Sequence, residues 1–165
     1  MANWSFAVSG AGITVASSNP VTLVFINPPS TVGIRVLRAW CSQAGSALTS
    51  QNLSIEFATQ VTAFPTLTSA TPAKLQRQNP NASAITGGTA GAAGTAGINA
   101  SAEGAGTKTQ VFADAFNNIN GWVYQPTPKN CIEVPAGSAS GLGLVLLTTA
   151  GTTSGWNFGV EFEEI

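Results

Sequence analysis

The chain has 165 residues, of which 44% are hydrophobic and only 8% charged, and its net charge is −1 with no histidine. This length suits one domain with a sizeable core, so residues 1–165 are taken as a single domain. Ordinary soluble domains carry about 25% charged residues, so the low charge favours a surface that packs against partners, although a monomer covered in Ser, Thr, Asn and Gln stays open. The six basic residues are scattered, which argues against a nucleic-acid partner.

The sequence also argues against binding to a membrane, against a secretion signal and against a cofactor. No apolar run approaches the roughly 18 residues of a spanning helix, and no basic region followed by an apolar block opens the chain. Cys41 and Cys131 are predicted to be small apolar core residues of a protein in a reducing compartment, with a disulfide left open. With no histidine and no close pair of cysteines, no metal site is expected.

Apolar residues alternate with small or polar ones in the first half of the chain, and this period of two predicts β-strands. The pattern covers residues 4–8, 13–15, 21–26, 32–41 and 53–58. Over residues 32–41, strict alternation puts Trp40 and Arg38 on the face of Ile34 and Val36, and Arg35 on the opposite face. We therefore expect Trp40 to lie in the core.

The alternation weakens over residues 64–80, which contain three prolines, and resumes after the segment 83–109. The run "GLGLVLL" is apolar on both faces, which indicates a central strand covered on both sides or a strand covered by a neighbouring subunit. The run "WNFGVEFEEI" predicts Trp156, Phe158, Val160 and Phe162 inside, with its glutamates outside. About eight to ten strands with hardly any helix predict an all-β protein, an antiparallel β-sandwich. We prefer a jelly roll to an immunoglobulin-like sandwich because the Cys–Trp–Cys spacing is missing.

Residues 83–109 are rich in Gly, Ala, Ser and Thr and contain no aromatic side chain. Such a composition favours a long loop or linker. Ordering a residue costs about 1–2 kcal/mol of backbone entropy, which contacts must offset. These contacts could come from the chain's own sandwich or from another subunit, and we expect an extended loop or arm that becomes ordered by packing in an assembly.

No catalytic motif is present. The absence of histidine excludes a Ser-His-Asp triad and a Cys-His dyad, and no Walker loop or dinucleotide-binding fingerprint occurs. Asp114 is the one acid within an apolar strand pattern, and we expect it to form a structural ion pair with Arg35 or Arg38. We therefore predict no catalytic, metal-binding or cofactor-binding residues, and no enzyme activity.

Candidate interface residues come from the aromatic, arginine and isoleucine side chains, since aromatic residues and Arg are enriched at interface centres. Each of these aromatic residues could instead be part of the core. For Trp122 and Tyr124, the core and the interface are supported about equally. The full candidate set is Trp4, Arg35, Arg38, Ile85, Ile98, Trp122 and Tyr124.

Three stretches, "TLVFINPPSTVGIRVLRAWCSQAG", "GWVYQPTPKNCIEVPAGSASGLGLVLL" and "WNFGVEFEEI", resemble small all-β virion proteins of tailed phages. The nearest type is the jelly-roll capsid decoration, or cement, protein. The resemblance covers most of the chain but is diffuse, and it transfers no functional residue.

The resemblance implies a homotrimer on the outer surface of a phage head, made in the host cytoplasm, that binds the major capsid protein and stabilises the lattice. The main alternative is a receptor- or carbohydrate-binding head of a phage fibre or tail, with Trp122 and Tyr124 in an exposed groove. A coat protein of a small virus and a cellular adhesion module fit less well, because the first lacks its basic arm and the second its signal peptide.

Overall fold

A computed structural model of the chain describes residues 4–16, 20–45, 48–148 and 151–165. Over these residues it contains thirteen β-strands and no helix, which confirms the all-β prediction. In chain order the strands are β1 (Ser5–Ile13), β2 (Val21–Asn27), β3 (Ile34–Gln43), β4 (Asn52–Val61), β5 (Thr66–Ser69), β6 (Ala73–Lys74), β7 (Thr86–Gly87), β8 (Thr95–Ala102), β9 (Thr107–Asn117), β10 (Trp122–Tyr124), β11 (Glu133–Val134), β12 (Ser140–Leu146) and β13 (Trp156–Glu164). The number exceeds the expected eight to ten because short strands extend the sheet edges.

The strands form two sheets that pack face to face. Sheet A has the order β10-β3-β13-β1-β6, with β11 also paired to β3, and sheet B has the order β5-β8-β2-β12-β4-β9, with β7 also paired to β8. The pairs β1–β13, β2–β12, β3–β10 and β4–β9 are antiparallel, so the chain is a long ribbon folded back on itself. Along this ribbon, the strand pairs alternate between sheet A and sheet B. This alternation is the topology of a jelly roll.

The inward faces of both sheets meet in one core. On β13, Trp156, Phe158, Val160 and Phe162 are all buried, as their alternation predicted. β12 is buried along nearly its whole length, and Phe25 packs over its outer side next to Gly141. The prediction of a central strand covered on both sides is confirmed, and the cover belongs to the same chain.

The strict alternation predicted for β3 is wrong, because Leu37 is an extra residue in the ladder with β13. Arg38 lies opposite Glu161, whereas Val36 lies opposite Phe162, the very next residue of β13. A β-bulge of this kind shifts the side-chain alternation by one residue. Beyond the bulge, Ala39 and Cys41 therefore face the core, and Trp40 faces outward and is only half-buried.

The segment 83–109 is not the extended loop that its composition suggested, since it contains β7, β8 and the start of β9. β8 lies between β2 and β5 in sheet B and buries Ala96, Ile98 and Ala100. Glycine is required at position 97 because the backbone of β8 lies very close to Leu67. A Cβ on Gly97 would lie 2.7 Å from the Cβ of Leu67. The chain's own sandwich therefore provides the contacts that order this segment.

Replacing Gly141 by Ala should test the close approach of Phe25 to β12. A Cβ at this position would lie 2.3 Å from Cζ of the buried Phe25 ring, so the ring must move. We expect a loss of about 1–3 kcal/mol in the free energy of unfolding, measured by denaturant titration.

Gly45→Ala is the matched control, because the nearest atom to its Cβ among the described residues would be Cδ2 of Leu48, at 3.4 Å. The control should change the free energy of unfolding by less than about 0.5 kcal/mol. Equal stability of the two variants would contradict the tight contact between Phe25 and β12.

Candidate functional site

On one side of the sandwich, the outermost strand of sheet A lies next to the outermost strand of sheet B. β9 is the last strand of sheet B and β10 the last of sheet A, and residues 118–121 connect them. Ring contacts between Phe112 on β9 and Tyr124 on β10 place both strands on the same side of the sandwich. We call this region, residues 107–124, the β9–β10 side.

An aromatic cluster fills the space between the sheets beneath the β9–β10 side. The ring of Tyr124 lies 5.0 Å from Phe112 and 5.3 Å from Phe57, and Trp122 lies 6.3 Å from Phe57. Trp122 is 7% and Tyr124 9% exposed, so the same chain already covers these two candidate interface residues. Burial raises the pKa of the Tyr124 hydroxyl, which donates a hydrogen bond to the carbonyl of Asn130 (3.4 Å).

Asp114 joins the two outermost strands and does not pair with an arginine, so the predicted ion pair is wrong. Its Oδ2 accepts a hydrogen bond from the indole N–H of Trp122 (3.1 Å), and its Oδ1 accepts one from the backbone N–H of Ala115 (2.8 Å). A single exposed carboxylate thus satisfies a buried indole of sheet A and a backbone donor of β9.

Exposed aliphatic side chains concentrate on the β9–β10 side. Val111 is 48%, Ile119 54% and Val123 63% exposed, and these are three of the six large hydrophobic side chains exposed within the described parts of the chain. Sequence reasoning missed all three. Val123 could have been found, because it alternates with the inward-facing Trp122 and Tyr124, whereas Val111 is exposed at a bulge in the ladder with β4.

The outer face of sheet A carries ion pairs between neighbouring strands. Arg35 pairs with Glu133 (2.6 Å) and Glu163 (3.2 Å), and Arg38 pairs with Glu161 (3.0 Å). The hydrogen bond to Glu133 and the charges of both glutamates raise the pKa of the Arg35 guanidinium. The Leu37 bulge puts both arginines on this face, although the sequence predicted opposite faces.

Trp40 lies flat on the same outer face, between the backbone and an arginine. A Cβ on Gly159 would come within 2.4 Å of the indole, so only glycine allows this placement. The Arg38 guanidinium stacks over the ring at 5.0 Å, a cation–π contact. Val123 lies opposite Trp40 in the β10–β3 ladder, so an aromatic and an aliphatic side chain are adjacent at this edge.

All seven carboxylates accept a hydrogen bond or form an ion pair within the chain. Glu103 is the most connected: it accepts from the backbone N–H (2.6 Å) and hydroxyl (2.5 Å) of Thr22 and from Lys108 (2.5 Å). Glu56 accepts from Gln110, and Glu164 from Ser83 and the N–H of Ala84. Glu133 and Glu163 meet at Arg35, which pairs with both, and the other five carboxylates act as structural acceptors at separate places.

Two further observations limit the chemistry of the described residues. Among them, no group of three or more His, Cys, Asp or Glu side chains is arranged to hold a metal ion. A cleft of about 270 Å³ at one end of the sandwich is lined by Asn27, Thr62, Phe64, Ala93, Ser138 and Ala139. None of these six side chains is titratable near neutral pH.

The remaining predicted residues are part of this chain's own fold. Ile85 and Ile98 are buried in the core, which leaves them little surface for a partner, and Trp4 packs at its margin, partly buried. Cys41 is a buried free thiol, as predicted, but Cys131 is only partly buried and does not belong to the core.

Comparison of the chain with protein-family models, with curated proteins and with solved structures finds no match. Within the described ranges there is also no helix that is long and apolar enough to cross a membrane.

Replacing Asp114 by Ala should uncouple the outermost strands of the two sheets. The Trp122 indole N–H, at a residue only 7% exposed, would lose its acceptor, which costs about 1–3 kcal/mol. We expect a lower free energy of unfolding and a red-shifted tryptophan emission.

Asp114→Asn should recover part of this loss, because its amide oxygen still accepts from the indole. The control is Glu133→Gln, which weakens an exposed ion pair and should cost less than about 1 kcal/mol. An unchanged emission spectrum in Asp114→Ala would contradict the hydrogen bond.

The two thiols should differ in reactivity. Burial raises the pKa of the Cys41 thiol, so little thiolate forms there, whereas Cys131 is partly exposed. Iodoacetamide should modify one thiol per folded chain, identified as Cys131 by peptide mass analysis, and both thiols after denaturation. The Cys131→Ser variant should resist modification while folded, and alkylation of native Cys41 would refute its burial.

Proposed function

We propose that the protein is a structural virion protein that decorates the outer surface of a phage head and stabilises the capsid lattice, without catalysis. The observation that carries this proposal is the concentration of exposed Val111, Ile119 and Val123 on the β9–β10 side. Exposed apolar side chains grouped in one region of a soluble fold are typical of surfaces that other proteins cover.

The arrangement of charge supports an adhesive role. On the outer face of sheet A, Arg35 and Arg38 pair with three glutamates, so each of these charges has an oppositely charged neighbour when a partner approaches, and the set carries one net negative charge. Binding several capsid subunits at once would add many weak contacts into a stable attachment. A homotrimer is the state that the resemblance to decoration proteins implies, and it is part of the proposal.

The fibre-head alternative depended on Trp122 and Tyr124 forming an exposed groove. Both side chains are buried under Phe57 and Phe112, and the Trp122 N–H is taken by Asp114. The observations therefore favour a decoration protein over a carbohydrate-binding head.

The proposal predicts that the purified protein binds emptied, expanded heads of the phage that encodes it. Binding is measured by co-sedimentation, and the decorated heads should withstand higher temperature or more chelator than bare heads. Binding to host cells or to a glycan array, without binding to heads, would support the fibre-head alternative and reject this proposal.

Val123→Asp tests whether the exposed aliphatic residues contribute. Loss of one buried aliphatic contact and burial of a charge should weaken head binding by about tenfold or more. The matched control is Ile165→Asp, an exposed aliphatic residue away from the β9–β10 side (41% exposed), which should bind as the unmodified protein does.

A further inference from the structure

The cleft of about 270 Å³ at one end of the sandwich is of a size that receives one large side chain. It is formed by the connections after β4 and before β8 and β12, together with the end of β2. Ordinary small-molecule pockets have roughly 300–1,000 Å³, and a cavity of roughly 150 Å³ holds benzene. The volume of the cleft therefore suits a single bulky ring better than a larger ligand.

The wall of the cleft at Thr62 is held in a strained backbone conformation. Thr62 and Ala63 have φ angles of 55° and 37°, in the left-handed region that residues other than glycine rarely adopt. The side-chain amide of Gln60 holds this turn by donating to the carbonyls of Ala63 (2.9 Å) and Glu103 (3.2 Å). The N–H of Gly106 also donates to the Ala63 carbonyl (3.2 Å). Strain that neighbouring contacts maintain in this way is concentrated at binding sites.

The lining of the cleft is mainly apolar and carries no charge near neutral pH. Phe64 is partly buried, and its ring packs at 5.7 Å against the buried ring of Phe25, which supports it from within. Ala93 and Ala139 add two methyl groups. Such a lining favours a neutral ligand with an apolar body, and an aromatic ring packs well against another ring.

Asn27 adds a buried hydrogen-bond acceptor to the cleft. This residue is 2% exposed, its Nδ2 donates to the carbonyl of Gly91 (2.8 Å), and its Oδ1 has no partner among the described residues. The bond to Gly91 determines which end of the amide is the oxygen. A buried acceptor without a donor is costly, so a ligand that brings one donor is favoured there. Because Oδ1 is closed to solvent, a bound donor reaches it only when a lining side chain turns aside.

We infer that the cleft binds one tyrosine or tryptophan side chain of the capsid protein, an aromatic ring with a single donor that Asn27 Oδ1 accepts. The inference rests on the proposed function and adds a second contact with the same partner. Val61, which is 41% exposed, lies between the two contacts, since it precedes Thr62 and pairs with Thr107 at the start of β9. Aromatic side chains seated in pockets dominate the binding energy of many interfaces.

The first test compares two isomers as probes of the cleft. 3-Methylindole is the side chain of tryptophan and has an N–H donor, whereas 1-methylindole has the same size and none. In NMR titrations of the full chain, we expect saturable amide shifts at residues 61–64, 91–94 and 137–140. 1-Methylindole should bind about threefold more weakly or worse, because it leaves Asn27 Oδ1 without a donor.

This comparison needs no variant, so it does not depend on how a substitution folds. 4-Methylphenol, the side chain of tyrosine, is titrated in the same way. Absence of binding by both 3-methylindole and 4-methylphenol would overturn the inference. Equal binding of the two methylindoles, or shifts only outside the cleft, would also overturn it.

The second test fills the cleft. Ala93→Leu puts a larger side chain into the lining and should weaken binding of 3-methylindole about tenfold or more. Ala73→Leu is the matched control at an exposed alanine of β6 in sheet A, and it should bind the probe as the unmodified chain does. Equal probe binding by the two variants would contradict a site at the cleft.

Head binding separates this inference from the proposed function. Ala93→Leu should bind heads about tenfold more weakly than Ala73→Leu, and saturating 3-methylindole should release the unmodified chain from heads. Head binding that neither treatment weakens would overturn the inference and leave the decoration role intact. Failure of the unmodified chain to bind heads would reject the proposed function. Probe binding would in that case assign the cleft to a free small molecule and overturn the capsid side chain as its occupant.

Discussion

The fold depends on the insertion of β13 between β1 and β3. β13 forms antiparallel ladders with both neighbours, so it holds two strands from the first part of the chain in one sheet. Its inward side chains, Trp156, Phe158 and Phe162, are also among the most completely buried in the molecule. The two longest ladders of sheet A and three fully buried aromatic side chains therefore come from the same nine residues.

The Leu37 bulge explains how a chain with so little charge arranges its surface. Without the bulge, Arg38 would face the core and Trp40 would be buried. With it, Arg35 and Arg38 both reach glutamates on the outer face of sheet A. The result is a face whose charges are satisfied locally, beside an edge that carries exposed aliphatic side chains.

Strand positions were readable from the sequence wherever the period of two was unbroken. β13 and β12 are examples, because alternating or fully apolar residues determine which faces are buried. β3 was misjudged after Val36, since a bulge depends on how a partner strand fits and leaves no mark in a single strand's alternation. The strand β8 was missed because its Gly and Ala residues signal flexibility locally, whereas close contact with Leu67 is what requires them.

The candidate site was harder to predict than the fold. Burial of Trp122 and Tyr124 depends on contacts with Phe57 and Phe112, which lie on other strands. The sequence around Trp122 and Tyr124 therefore could not distinguish a place in the core from a place at an interface. Exposure of Val111 and Val123 follows from their strands being outermost in their sheets, a property of topology. Only the outward direction of Val123 could be inferred from its neighbours, because it alternates with Trp122 and Tyr124.

The place of β13 in sheet A also has a consequence for biosynthesis. β1 and β3 emerge from the ribosome long before residues 156–164, so their facing edges must wait for the strand that joins them. Pairing of segments that are distant in sequence slows folding. Strand edges that are still unpaired can also pair with those of another nascent chain on the same messenger. Wider spacing of ribosomes on the messenger should therefore raise the soluble yield, since unfinished chains would then lie farther from one another.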